Sequence, residues 1–212
     1  MKDYLPFATS LFGAFFGALG AYLVGRFKEK RDENKRRHTA LLAAQYALYS
    51  QWSVLEDLRR KFLDPVRDDP QRHMKQLQYF RVVGELSVPF DELTFIVDSK
   101  DPNLLQEIHI AEKWFSSSVD LLQQLNAKRV EIQDKYPPKR FDMTTGKGDL
   151  ELPAFELFRL KSLTDLLFHN VDNSLPELWN TNKKLLKFIK SNLKGKNALD
   201  FVDVNASDAK KA

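Results

Sequence analysis

From Tyr4 to Gly25 the chain runs for 22 residues without a charge, and that run constrains everything after it. As a helix it would measure about 33 Å at 1.5 Å per residue, enough to cross a hydrocarbon core of about 30 Å. An uncleaved transmembrane helix is expected rather than a signal peptide, whose apolar region is shorter and follows a net basic leader. Here Lys2 is cancelled by Asp3. Tyr4 and Phe7 at one end, and Tyr22 and Phe27 at the other, fall where interfacial aromatic belts belong.

The flanks orient the span. Residues 26–37 hold Arg26, Lys28, Lys30, Arg31, Lys35, Arg36 and Arg37 against Glu29, Asp32 and Glu33, and positive charge stays on the cytoplasmic side. The N-terminus is therefore expected outside the cytoplasmic membrane and the chain after Phe27 in the cytoplasm. Within the span, Ser10, Gly13, Gly17 and Gly20 recur at spacings of three and four, beside a second stripe of Ala14, Ala18 and Ala21. Small residues on one face let helix backbones approach closely, so these four residues are the expected packing face of a homo-oligomer.

No glycine or proline interrupts the chain between Arg26 and Leu63, which predicts that the membrane helix continues unbroken until Asp64-Pro65 ends it. Leu41, Leu48, Trp52, Leu55 and Phe62 mark its apolar stripe. Residues 65–72 read as loop, 71–80 as a short helix, 81–88 as extended or bent, and Pro89 to Val97 as another short helix. Asp101-Pro102 predicts a helix start with Asp as the cap and Pro in the first turn. From there Leu104, Ile108, Ala111, Phe115, Leu122, Leu125 and Ile132 share one face.

Tyr136-Pro137-Pro138 ends that helix, and 137–152 reads as a long loop. Pro153 opens the last helical region, with Phe155, Leu163, Leu166, Leu167 and Val171 as its apolar positions. Ser174-Leu175-Pro176-Glu177 predicts a capping box and a kink or break, and Gly195 a C-terminal cap. With 8 Gly and 9 Pro in 212 residues there is little turn material for a many-stranded sheet. The expected fold is all-α, an N-terminal transmembrane helix continuing into a cytosolic antiparallel bundle of long helices. Its parts are an anchor at 1–27, the bundle at 28–196 and a polar tail at 197–212.

The absence of cysteine removes disulfides, thiolate metal sites and cysteine nucleophiles. Charge is unevenly spread. Residues 38–182 carry 17 basic and 22 acidic groups, whereas 183–196 carry six lysines and no acid. Lys183, Lys187, Lys190 and Lys194 follow spacings of 4, 3 and 4 and form one basic edge, suited to an anionic lipid, a nucleotide, a nucleic acid or an acidic partner.

Asp165, His169 and Asp172 share a helix face at i, i+4 and i+7, a permissive spacing for a divalent ion that solvated side chains satisfy equally well. Glu107, His109 and Glu112 align less well. Thr145-Gly146-Lys147-Gly148 lacks the first glycine and the final hydroxyl of a phosphate loop. No metal, no cofactor and no catalytic residue is assigned on these grounds, and a non-enzymatic, self-associating interaction protein is expected.

Leu86-Ser-Val-Pro-Phe-Asp-Glu-Leu93 with Asn103-Leu-Leu105, and Leu163-Thr-Asp-Leu166 with Val171-Asp172 and Leu175-Pro-Glu177, resemble uncharacterised bacterial proteins with one N-terminal membrane helix and a helical cytosolic domain. In architecture the chain is also similar to membrane-anchored antiviral accessory proteins of CRISPR systems. That similarity implies a pore-forming or membrane-perturbing effector as the alternative function. Arg67 with His73, and Arg31 with His38, resemble the short Arg-His motif of helical HEPN ribonucleases. This implies a second alternative, in which such a pair would position a scissile phosphate and a general acid or base.

Overall fold

The computed structural model describes residues 5–75, 86–137, 140–142, 147–149 and 151–192, with side chains from Gly17 onward except in the two short strands. Lys194, Gly195 and the 197–212 tail lie outside the described residues. Three long helices dominate: α1 (Leu5–Leu58), α2 (Asn103–Lys135) and α3 (Ala154–Asn192). The all-α expectation holds.

α1 passes position 27 without interruption, and its 54 residues correspond to about 80 Å of helix. Every described side chain from Gly17 to Arg37 is exposed, and burial begins at Ala40. At its other end α1 widens into a π-helical turn at Arg59–Leu63, closed by the Asp64 N–H donating to the Arg59 carbonyl, and then tightens into a 3-10 turn at Asp64–Val66. The cause is Pro65, which has no N–H to continue the α pattern. Residues 71–75 are successive i to i+3 turns; the rest of the expected short helix, 76–80, and residues 81–85 of the expected extended stretch lie outside the described residues.

Among the described residues no helix is long and apolar enough to cross a membrane. The expected span lies mostly in residues 1–16, none of whose side chains are described.

α2 buries all seven residues of its expected apolar face. Its start differs from expectation. The N-cap position is Pro102 rather than Asp101, and no side chain caps the helix; the Asp101 carbonyl accepts from the Leu104 N–H at 3.3 Å, while the Ser99 hydroxyl oxygen accepts the Asp101 N–H at 3.1 Å. The preceding 3-10 helix, Phe90–Ile96, follows Pro89 as expected and buries Leu93 and Ile96.

The supposed loop at 137–152 contains an antiparallel pair, β1 (Arg140–Asp142) and β2 (Lys147–Asp149), with Arg140 opposite Asp149 and Asp142 opposite Lys147. Periodicity over an apolar face gives no sign of so short and polar a hairpin.

α3 runs through Pro176 without a break. Ser174 is not a helix cap: its hydroxyl is buried on the face toward α2 and bonds back to the Asn170 carbonyl at 2.6 Å. The face of α3 also departs from expectation. Phe155 and Leu166 are exposed, at 70% and 50%, while Leu160, Phe168, Leu175 and Leu178 join Leu167 and Val171 in the core.

α3 is the middle element, packing against both α1 and α2, which touch each other far less. Its direction follows from cross-links. Against α2, Lys184 pairs with Glu107, Ser174 with Ser118 and Glu156 with Lys128, so residue numbers fall on one helix as they rise on the other. Against the α1 side, Trp179 stacks on Trp52 at 5.0 Å, then Asp172 meets Arg67 and Asp165 meets Arg72. α3 is antiparallel to both.

Candidate functional site

This topology gives the bundle two chemically different ends. The proximal end is where α1 enters, near Ala40; the distal end is where α1 stops. Counting from the Trp52–Trp179 contact, Lys190 lies 11 residues along α3 and Leu41 lies 11 residues back along α1. At 1.5 Å per residue both are displaced by about 16 Å in the same direction. The end of the lysine edge therefore sits level with Leu41, one turn from Arg37. Two separated basic segments, 26–37 and 183–192, are brought to the same end by the reversal of α3.

Lys183, Lys187 and Lys190 are exposed, and their helix presents Leu185, Phe188 and Ile189 to the core. Lys183 Nζ lies over the Trp179 ring at 4.9 Å, which fixes the stem of the first lysine without neutralising it. Lys184, outside the edge, is instead held by Glu107 of α2 at 2.5 Å, and this pairing raises its pKa. Near the lysine edge, Lys35, Arg36 and Arg37 of α1 face Glu92 and Asp98 across a groove of about 920 Å³, with the Arg37 guanidinium over the Phe95 ring at 5.2 Å and ion-paired to Glu33.

Of the small-residue face, Gly17 and Gly20 have nothing within 4 Å of where a Cβ would stand. The surroundings of Ser10 and Gly13 lie outside the described side chains.

At the distal end cations meet carboxylates from other elements. Arg67 donates to both oxygens of Asp172, at 2.8 and 2.9 Å, and to Asp64 at 3.0 Å. Asp172 is thereby held below the usual carboxylate pKa, chiefly by that hydrogen bond. Arg72 donates to Asp165 at 2.6 Å, and both guanidiniums lie over the Phe168 ring, at 5.3 and 4.6 Å. Buried Lys128 is clamped between Glu156 at 2.7 Å and Glu131 at 2.9 Å.

These contacts dispose of several sequence candidates. Asp165 and Asp172 are each taken by an arginine, and His169 Nε2 lies 3.1 Å from the Asn173 amide, so the three side chains serve separate neighbours. Glu107 goes to Lys184, His109 packs edge-on against Phe90 at 5.3 Å, and Glu112 accepts the Val88 N–H at 3.2 Å while burial raises its pKa. Arg67 and His73 line one cleft, but the Arg67 guanidinium is spent on Asp172 and Asp64. Lys147 and Gly148 belong to β2.

Sequence reasoning missed the distal arginine and aspartate pairs because they join residues about a hundred positions apart. The one available signal was the i, i+7 spacing of Asp165 and Asp172 around Phe168. A comparison with protein-family models, curated proteins and solved structures finds no match. The similarities to antiviral accessory proteins and to HEPN ribonucleases receive no support from it.

Proposed function

We propose that this chain is a membrane-anchored interaction protein, non-enzymatic and self-associating, with a basic collar that rests on anionic lipid. Its N-terminal helix spans the cytoplasmic membrane with the N-terminus outside, and the bundle stands on the cytoplasmic face. The observation that carries this reading is the arrangement along α1: a 22-residue uncharged run, a net basic stretch whose side chains are all exposed, and a core that begins only at Ala40. Apolar side chains with no covering from the bundle, Leu19, Leu23, Val24 and Phe27 among them, suit a lipid environment better than water.

The collar follows from the shared position of residues 26–37 and the lysine edge. Anionic lipid attracts such segments by about 1 kcal/mol per lysine or arginine near the surface. Self-association is supported by the open face at Gly17 and Gly20, where a second backbone has room to approach.

Single cysteines in place of Asp3 and Ala209 test the topology in intact cells. An impermeant maleimide is expected to label Asp3→Cys and to spare Ala209→Cys until the membrane is opened. Equal labelling at both positions would remove the anchor from the proposal.

A further inference from the structure

Three charged faces of the bundle differ in how their charge is met. At the distal end, cations are paired with carboxylates of other elements. The lysine edge lies in a segment without acid, so a second copy of that edge would be repelled by it. The groove between α1 and the 3-10 helix Phe90–Ile96 is of another kind. Lys35 and Arg36 line it from α1, and Glu92 and Asp98 line it from the 3-10 helix and the residues just after. Arg37 is spent within the face, ion-paired to Glu33 and laid over the Phe95 ring. The other four are exposed, and among the described residues none of their side chains enters an ion pair or hydrogen bond.

A face that carries both signs without closing them on each other is self-complementary. An interface with two-fold symmetry uses the same patch on both copies, so the patch must hold both members of every pair. Anchoring adds a geometrical condition. Two chains held in one membrane with the same orientation are related by an axis along the membrane normal, which shifts neither copy in height. The cations of one then meet the carboxylates of the other only if both sets stand at the same height within the chain. They do, because they line a single groove.

Exposed ion pairs alone contribute little. The face also offers the half-buried Phe95 ring, the exposed Thr39 and Thr94, and Val97, 55% exposed beside Asp98. For chains already confined to one bilayer a modest contact of this kind suffices, because it forms at high effective concentration.

We propose that this groove face is where two copies of the chain meet outside the membrane, Lys35 and Arg36 of each facing Glu92 and Asp98 of the other. The inference rests on the self-associating reading and gives it a second, polar face.

The chain has no cysteine, so one introduced pair reports the contact in full-length protein extracted in uncharged detergent. Chains carrying Thr39→Cys are co-expressed with chains carrying Thr94→Cys and mildly oxidised, and a disulfide between positions 39 and 94 then forms only between copies. A cross-linked pair is expected. Ser53→Cys in place of Thr39→Cys, exposed on α1 about 20 Å further along, should give far less. Arg36→Glu in the Thr39→Cys chain should lower the yield about fivefold, and so should Glu92→Arg in the Thr94→Cys chain. The two reversals together, one on each chain, should restore it.

Sedimentation of the parent in the same detergent separates this contact from self-association as such. An oligomeric parent with no 39–94 cross-link would overturn the groove contact and leave self-association standing. So would a yield that the single reversals leave unchanged, or that the paired reversals fail to restore. A parent that is monomeric at every concentration would overturn both.

Discussion

The two ends of the bundle use the same residue types for opposite purposes. At the distal end Arg67, Arg72 and Lys128 are each met by a carboxylate of another element or another turn, and their charge is consumed in holding the turn segment and α2 against α3. At the proximal end Lys183 and Lys187 are exposed in a segment that contains no acid, and Lys183 lies over the Trp179 ring. Charge alone therefore does not distinguish structure from recognition. What distinguishes them is whether an opposing group is brought in by the fold.

The comparison presumes that one core joins both ends. Leu178, fully buried on α3 one position from the Trp179–Trp52 contact, tests that presumption. Leu178→Ala should cost about 2–5 kcal/mol, as removal of buried leucine side chains does. Chemical denaturation of the full-length protein should still show one transition, shifted as a whole. Two separated transitions would mean that the ends are independent units.

The next effect concerns lipid. Replacing Lys183, Lys187 and Lys190 together by Gln should weaken apposition to anionic vesicles by about 3 kcal/mol at low salt, with much less effect at high salt. Folding stability should move by about 1 kcal/mol or less, chiefly through the lost contact of Lys183 with the Trp179 ring. A dye attached at Asn180→Cys, reporting proximity to headgroups in reconstituted vesicles, reads the first quantity. Equal signals over neutral and anionic lipid would place the edge elsewhere.

Arg67→Ala should have the reverse profile, costing about 1–2 kcal/mol of stability through lost ion pairs and the lost stack on Phe168, and leaving lipid apposition unchanged. It also predicts a pH signature. The Asp172 carboxyl has a folded pKa below its unfolded one, so its contribution is complete above the unfolded value, about 3.9, and is lost as pH falls through the folded value. The parent should therefore lose stability more steeply than Arg67→Ala as pH falls below about 4. Parallel acid titrations of the two proteins would detach Asp172 from the distal clamp.

Much of the helical frame was legible because helices advertise themselves over long windows. The α2 face was read without error, since seven apolar residues at 3.6-residue spacing repeat the same message. α3 was harder. Phe155 and Leu166 obey the apolar rule yet lie outside, while Thr164, Asn170 and Ser174 lie inside, because α3 is flanked on two sides, with Asn170 and Ser174 bonding across to α2 and Thr164 back to its own helix. The lysine edge was visible as a spacing, but its place beside residues 26–37 depends on the direction of α3, which no local pattern encodes. The distal pairs are products of tertiary packing alone.

The smallest effect tests the seam midway between the ends, where neither kind of charge acts. Ser118 and Ser174 are both fully buried, with their hydroxyl oxygens 2.9 Å apart, and the Trp114 and Asn170 carbonyls lie 2.9 and 2.6 Å from them. Two hydroxyl hydrogens thus have three acceptors: one hydroxyl donates to the other, which donates to a carbonyl. In Ser174→Ala the Ser118 hydroxyl keeps a donor route to the Trp114 carbonyl, so about 1 kcal/mol is expected rather than the larger penalty of an orphaned group. Ser118→Ala should behave alike, because Ser174 retains Asn170. The double variant should then cost less than the sum of the two, since the hydrogen bond between the hydroxyls is lost once. Strict additivity, measured by denaturant midpoints of all four proteins, would show that the two hydroxyls contribute nothing through each other and that Ser174 reaches α2 only through the Trp114 carbonyl, 3.2 Å away.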